Sequence, residues 1–92
     1  MTVPTIHDVL LTELRQIIDE RGSVLHHLRA DAADFEAFGE AYFSEIVPGA
    51  TKAWKRHRIQ TQNLAVPIGR VRFVIHDDRP DSPTTGTTDV IE

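Results

Sequence analysis

The side chains best suited to acid–base chemistry lie together between Gly49 and Gly69. Lys55 and His57 are two residues apart, and Gln62 follows five residues later. Histidine changes charge near neutral pH, which makes His57 the best candidate general base. The Lys55 ammonium can stabilise a developing negative charge, or act as a base where desolvation favours its neutral form. The segment therefore predicts proton-transfer chemistry at His57 and Lys55.

The secondary structure that the sequence predicts differs between the first part of the chain and the rest. Apolar residues near the start recur at spacings of three and four, and by periodicity alone they predict an amphipathic helix over residues 6–19. Residues 15–19 also admit a short strand that ends in a turn over residues 20–22. Both interpretations stay open at this point.

A short helix is predicted over residues 31–38, because Asp occupies both candidate N-cap positions and two phenylalanines share one face. Elsewhere Gly and Pro break the chain into strand-length pieces. Strands are predicted at residues 23–28, 41–47, 63–68, 70–75 and 89–92. Pro48-Gly49 is a turn pair, and residues 81–88 are predicted to be a polar loop. Several short strands separated by turns are typical of an all-β sandwich or barrel.

Composition narrows the class of protein. The 92 residues, 10.4 kDa, leave room for one small domain. The absence of cysteine excludes disulfides and zinc–thiolate sites. A formal net charge of −4 argues against nonspecific binding to nucleic acid. No apolar run approaches the roughly 20 residues of a membrane span and no signal-peptide pattern opens the chain, so we expect a soluble, cytoplasmic protein with no membrane partner.

The spacing around Lys55 resembles the first motif of the cupin superfamily. That motif is Gly, five residues, His, one residue, His, three or four residues, Glu, six residues, Gly, and this chain keeps its frame. In a cupin, Lys55 and His57 would share the inward face of a strand in a small barrel, and Gln62 would join them from the next strand. Of the motif's metal ligands only His57 remains, and a cationic Lys55 opposes a divalent ion. We therefore predict no bound metal.

Further runs resemble the dTDP-4-dehydrorhamnose 3,5-epimerase family, in its epimerase-related branch. They lie at residues 19–22, 42–44, 48–49, 52–57 and 77–84. The resemblance covers residues 9–92 and implies a jelly-roll cupin, usually dimeric, that acts on nucleotide-linked 4-keto-6-deoxy sugars without a metal or other cofactor. It also implies an extended segment at residues 9–18. Residues 1–92 are then expected to be the front part of one cupin domain that lacks the family's C-terminal strands and catalytic tyrosine.

Carried over position by position, the resemblance implies a substrate site. The epimerases' Arg-Gly-Leu-His segment begins at Lys52, which keeps a positive charge for a diphosphate, and ends at Lys55, where the catalytic histidine would be. The family's catalytic lysine falls on Gln62, and Arg21 matches an arginine that contacts phosphates. His57 is then the remaining base, and Lys55 the group that stabilises an enolate. The expected partner is a nucleotide sugar, bound by Arg21, Lys52 and Gln62 in a homodimer.

Three functional hypotheses follow. The first is isomerisation of a nucleotide-activated deoxysugar for cell-surface polysaccharide biosynthesis. The second is a noncatalytic carbohydrate- or nucleotide-binding cupin that has lost the acid–base pair. The third is a fragment whose fold is completed by a partner.

Other conspicuous side chains are assigned structural roles. Trp54 is expected to pack in the core or at an interface. His26 and His27 are adjacent, so on a strand they face opposite ways and cannot form a paired ligand. Arg79 is expected to fix a turn through an ion pair with the neighbouring aspartates rather than to act in catalysis.

Overall fold

The computed structural model describes residues 4–92. Within that range it contains four strands of four residues each: β1 (Gln16–Asp19), β2 (Gly22–Leu25), β3 (Phe73–His76) and β4 (Thr88–Ile91). The antiparallel pairs β1–β2 and β3–β4 form two separate sheets. No helix occurs in residues 4–92, and therefore none there is long and apolar enough to cross a membrane. The predicted all-β class is confirmed, and the short antiparallel sheets are consistent with an incomplete cupin-like fold.

The first hairpin decides between the two interpretations of the N-terminal segment. Its register pairs Ile17 with Val24, and a turn joins Asp19 to Gly22. Gly22 has a φ of 138°, a conformation that residues with a Cβ rarely adopt. The strand within residues 15–19 is confirmed and the periodicity-based helix is wrong, because β-branched residues favour strands and a strand two residues away satisfies the backbone groups.

The second hairpin contains the small core of the described chain. Phe73 pairs with Ile91 and Ile75 with Asp89, so these side chains share one face of the sheet. Exposure alternates along both strands, as the apolar pattern of residues 70–75 predicts. Ile91 is 7% exposed and Ile6, from the N-terminal segment, is 5% exposed. The predicted strands at residues 70–75 and 89–92 are therefore confirmed with bounds shifted by one to three residues.

The N-terminal segment is fastened to the second hairpin by a buried carboxylate. Asp89 accepts hydrogen bonds from the Thr5 backbone N–H and hydroxyl, both at 2.6 Å, and from the Ile6 N–H at 3.1 Å. The His7 N–H donates to the Thr84 hydroxyl at 2.9 Å. The Thr5 hydroxyl and backbone N–H hold the pKa of Asp89 below its ordinary value. Backbone groups of residues 5–7 are thus recognised by side chains of β4 and the β3–β4 loop.

A second carboxylate organises the β3–β4 loop. Asp77 is 3% exposed and accepts five hydrogen bonds, which come from the backbone N–H, Nε and Nη2 of Arg79 and from the hydroxyls of Ser82 and Thr84. These donors, the Arg79 side chain first, hold the pKa of Asp77 far below its ordinary value. Asp77 in turn raises the pKa of Arg79. The predicted turn-fixing role of Arg79 is confirmed.

The two carboxylates predict how stability depends on pH. A carboxyl whose pKa is lowered on folding stabilises the native state above its unfolded pKa, about 3.9, and loses that contribution as pH falls through the folded value. We expect the attachment of residues 5–7 to be unchanged between pH 7 and pH 5 and to weaken below about pH 4. The attachment is measured as the hydrogen-exchange rate of the Ile6 amide at each pH, in the unmodified chain and in Asp89→Asn. Weakening already between pH 7 and pH 5 would contradict it.

The chain consists of two compact units, each defined by contacts among its own residues. All four strands belong to the first, which comprises residues 4–27 and 64–92 of the described chain. The second unit, Leu28–Asn63, contains no strand and no helix. Its Pro48-Gly49 turn is present as predicted, with the Ala50 N–H donating to the Val47 carbonyl at 3.0 Å.

Three predicted elements are absent. Residues 31–38 form no helix: the Ala32 and Phe35 N–H groups each donate three residues back, which closes isolated turns, and a helix this short is not stable by itself. Residues 41–47 and 63–68 form no strands. Their strand-forming composition is not sufficient, because a strand also needs a neighbour to pair its backbone groups and neither segment has one in residues 4–92.

Candidate functional site

The segment with the predicted acid–base residues has an irregular backbone. Lys55 and His57 lie in the second unit on residues that form no strand, and both side chains are exposed. The expectation that they share the inward face of a barrel strand is therefore wrong for this structure. The physical reason is again pairing, because no strand in residues 4–92 lies beside them to hold an extended conformation.

His57 nevertheless lines an open surface depression. The backbone bends at Arg58 and Ile59, and the side chains around the bend line an open depression of about 430 Å³. Its lining residues are Arg56, His57, Arg58, Ile59 and Gln60. Two arginines and a histidine thus line one open depression, a set of residue types suited to an anionic ligand beside a proton acceptor.

The predicted substrate-binding residues are distributed over both units. Lys52 lies in the same unit as His57, and its Nζ donates to the Ser44 hydroxyl at 2.9 Å. Gln62 is exposed and lies outside the lining of the depression. Arg21 belongs to the other unit.

Arg21 already has a partner of its own. Its guanidinium contacts Asp19 at 3.0 Å, and its backbone N–H donates to the same carboxylate at 2.8 Å. These two donors, the backbone N–H first, hold the pKa of Asp19 below its ordinary value. Arg21 therefore stabilises the β1–β2 turn in this structure.

Sequence reasoning missed Arg58 and Gln60, which line the depression beside His57. The charge distribution of the sequence does indicate Arg58. Between Glu45 and Asp77 the chain contains no acidic residue, while six of its ten Lys and Arg residues fall in that stretch. Local charge separation of this size in an acidic chain indicates an anion-binding segment more directly than the cupin spacing does.

Two further predictions concern metal binding and Trp54. Within residues 4–92, no three His, Asp or Glu side chains lie close enough to hold a metal ion. The absence of a cofactor stays a prediction. Trp54 is 69% exposed, so it does not pack in a core of the described chain. Its packing at an interface also stays a prediction.

Comparison with known proteins identifies relatives for nearly the whole chain. No family model matches it, and no solved structure matches it. It is 39% identical over 89 residues to a Haloferax volcanii protein named "Probable low-salt glycan biosynthesis epimerase Agl13". The aligned region covers 95% of this chain and 57% of that protein. It is 36% identical over 85 residues to the Bacillus subtilis "Spore coat polysaccharide biosynthesis protein SpsL", and this aligned region covers 92% of the chain and 56% of that protein.

The chain therefore spans little more than half the length of these curated relatives. One relative is named as an epimerase and both names refer to the synthesis of sugar polymers. Neither name specifies a dTDP-linked substrate. The similarities support a sugar-biosynthesis, epimerase-like family for this chain and do not single out the dTDP-4-dehydrorhamnose 3,5-epimerases within it.

Proposed function

We propose that the protein acts as an isomerase on a dTDP-4-keto-6-deoxy sugar, in the manner of dTDP-4-dehydrorhamnose 3,5-epimerases. The observation that carries the proposal is its similarity, over 95% of its length, to a protein named as a glycan biosynthesis epimerase. The proposed setting is cell-surface polysaccharide biosynthesis in the cytoplasm. The names of both relatives support the polysaccharide part of the proposal.

The proposed chemistry is proton exchange at carbons next to a ketone. His57 removes a proton from such a carbon, and the electron pair of the broken C–H bond moves into the enolate. The Lys55 ammonium stabilises the enolate oxygen. Return of a proton from water to the opposite face of the carbon restores the ketone with inverted configuration, and protonated His57 releases its proton to water. Both side chains are exposed on one short segment, which leaves them accessible to a substrate.

Substrate binding is assigned to cationic and amide side chains. Lys52 and Arg21 are proposed to contact the diphosphate, and Gln62 to contact the substrate as a neutral hydrogen-bonding group. No metal is required, because the ammonium of Lys55 takes the electrostatic role that a divalent ion would otherwise supply. We propose that the protein works without a cofactor.

The proposal includes a homodimer. Ile18 and Val24 of the β1–β2 hairpin are 70% and 58% exposed. Exposed apolar side chains on a hairpin with unpaired edges favour association with another chain. Light scattering of the full chain should give twice its monomer mass of 10.4 kDa. A monomeric mass would remove this part of the proposal.

Deuterium exchange tests the isomerase proposal. We expect dTDP-4-keto-6-deoxyglucose incubated with the protein in heavy water to gain deuterium at C3, C5 or both, read as loss of the corresponding proton signals by NMR. Binding of the same compound is measured in parallel by titration. Binding without exchange would contradict the isomerase and favour the noncatalytic carbohydrate- or nucleotide-binding cupin. That alternative is itself supported by Lys55 and Gln62, which replace the family's catalytic histidine and lysine.

A further inference from the structure

The depression around His57 lies in the most cationic part of the chain. Residues 46–76 contain six Lys and Arg and no Asp or Glu, whereas the whole protein carries a formal charge of −4. Arg58 and His57 both line the depression, which has no carboxylate in its wall. Concentrated positive charge around a concavity attracts and holds multivalent anions.

Arg58 is the guanidinium available for such an anion. Within residues 4–92, no hydrogen bond or ion pair engages the Arg58 side chain, whereas Arg56 takes part in interactions of its own. Arg21, which the family resemblance suggests for the phosphates, forms an ion pair with Asp19. A phosphate at Arg21 would therefore compete with an existing ion pair, and one at Arg58 would not.

We infer that residues 56–60 form a phosphate subsite in which Arg58 holds the diphosphate of the nucleotide sugar and Gln60 contacts a hydroxyl beside it. The inference rests on the proposed function. A guanidinium presents two parallel N–H donors to a phosphate, and an amide both donates to and accepts from hydroxyl groups. Both residues line the same depression as the candidate base His57.

The position of the subsite suits the proposed chemistry. The diphosphate of a nucleotide sugar is attached at C1 of the ring, and C3 and C5 are each two bonds from C1. An anchor for the diphosphate next to His57 therefore keeps both exchangeable carbons near the base, and fixing a substrate beside a catalytic group lowers the entropic part of the barrier. Arg58 is then a binding residue for the substrate rather than a proton donor.

Titration calorimetry of the full chain with inorganic pyrophosphate and with dTDP-glucose tests the inference. Arg58→Ala is expected to weaken binding of both compounds by about tenfold, and Arg58→Lys to weaken it less, because lysine keeps the charge and loses the bidentate geometry. Arg70→Ala is the matched control, since it removes one exposed cation from the same acid-free stretch.

The possible outcomes separate this inference from the isomerase proposal. No binding of pyrophosphate by the unmodified chain, or equal losses in Arg58→Ala and Arg70→Ala, would overturn the subsite. A large loss in Arg21→Ala with none in Arg58→Ala would overturn it and leave the diphosphate to Lys52 and Arg21. Binding that depends on Arg58 in a protein without deuterium exchange would leave the subsite intact and contradict the isomerase.

Discussion

Replacing His57 by asparagine is expected to slow deuterium exchange into dTDP-4-keto-6-deoxyglucose by about 10²–10⁴-fold, the usual contribution of a positioned general base. Asparagine keeps a polar side chain of similar length but cannot take up a proton at the pH of the assay. Because His57 is exposed, we expect the substitution to leave folding intact, since surface substitutions rarely alter stability. NMR exchange rates at saturating substrate measure the effect.

The matched control is His27→Asn, which removes an exposed histidine outside the candidate site. Its exchange rate should equal that of the unmodified chain. Equal rates in His57→Asn and the unmodified chain would assign the base to another group. Binding of dTDP-glucose by His57→Asn, measured in the same samples, distinguishes loss of proton transfer from loss of substrate.

Two variants of Lys55 identify its role in the same assay. Lys55→Met removes the charge and is expected to slow exchange, because the enolate oxygen then has no cationic partner. Lys55→Arg keeps the charge but cannot act as a base near neutral pH. Exchange that survives in Lys55→Arg and fails in Lys55→Met therefore assigns enolate stabilisation to Lys55, whereas failure in both assigns it the proton-transfer step.

The elements that sequence reasoning predicted correctly are those whose signal was local. The polar loop between β3 and β4 and the alternation of Val71 and Phe73 against the arginines need only neighbouring residues to be recognised. The β1 strand was one of two open interpretations, because short apolar runs satisfy both helical and strand periodicities. Pairing with β2, which is not visible in the periodicity of β1 itself, decides the matter.

The elements that failed depend on distant partners. Tyr42 and Phe43 lie in a segment rich in strand formers, yet they are exposed and unpaired in the described chain. The same holds for the candidate site: spacing identified Lys55 and His57 as a pair, but their orientation depends on a strand that has no neighbour in residues 4–92. Arg58 was missed because the cupin spacing selects positions 55, 57 and 62 and does not take account of the net charge of residues 46–76.

The largest structural effect is expected from Asp77→Asn. Asp77 accepts five hydrogen bonds, and two of its donors, Arg79 and Thr84, also hold the N-terminal segment through the His7 carbonyl and N–H. Asparagine has a neutral oxygen and an NH₂ group that faces existing donors, so the Arg79 guanidinium keeps only the exposed Asp8 as a counter-charge and the hydroxyls lose their charged acceptor. We expect the apparent melting temperature to fall by about 10 °C.

Amide exchange assigns that loss to the attachment of the N-terminal segment. In Asp77→Asn the His7 amide is expected to exchange about 10–100-fold faster, because its acceptor Thr84 is no longer held in place. The Val24 amide in the β1–β2 hairpin serves as an internal reference and should change little, since neither strand of that hairpin bonds to Asp77.

Asp81→Asn is the matched variant for charge. Asp81 is an exposed aspartate in the same loop, so its replacement removes the same negative charge without touching the five hydrogen bonds. If Asp77→Asn and Asp81→Asn accelerate exchange at His7 equally, the effect is one of net charge and the hydrogen-bond account is wrong. A selective effect of Asp77→Asn means that one buried carboxylate couples the β3–β4 loop to residues near the N-terminus, across more than seventy positions of sequence.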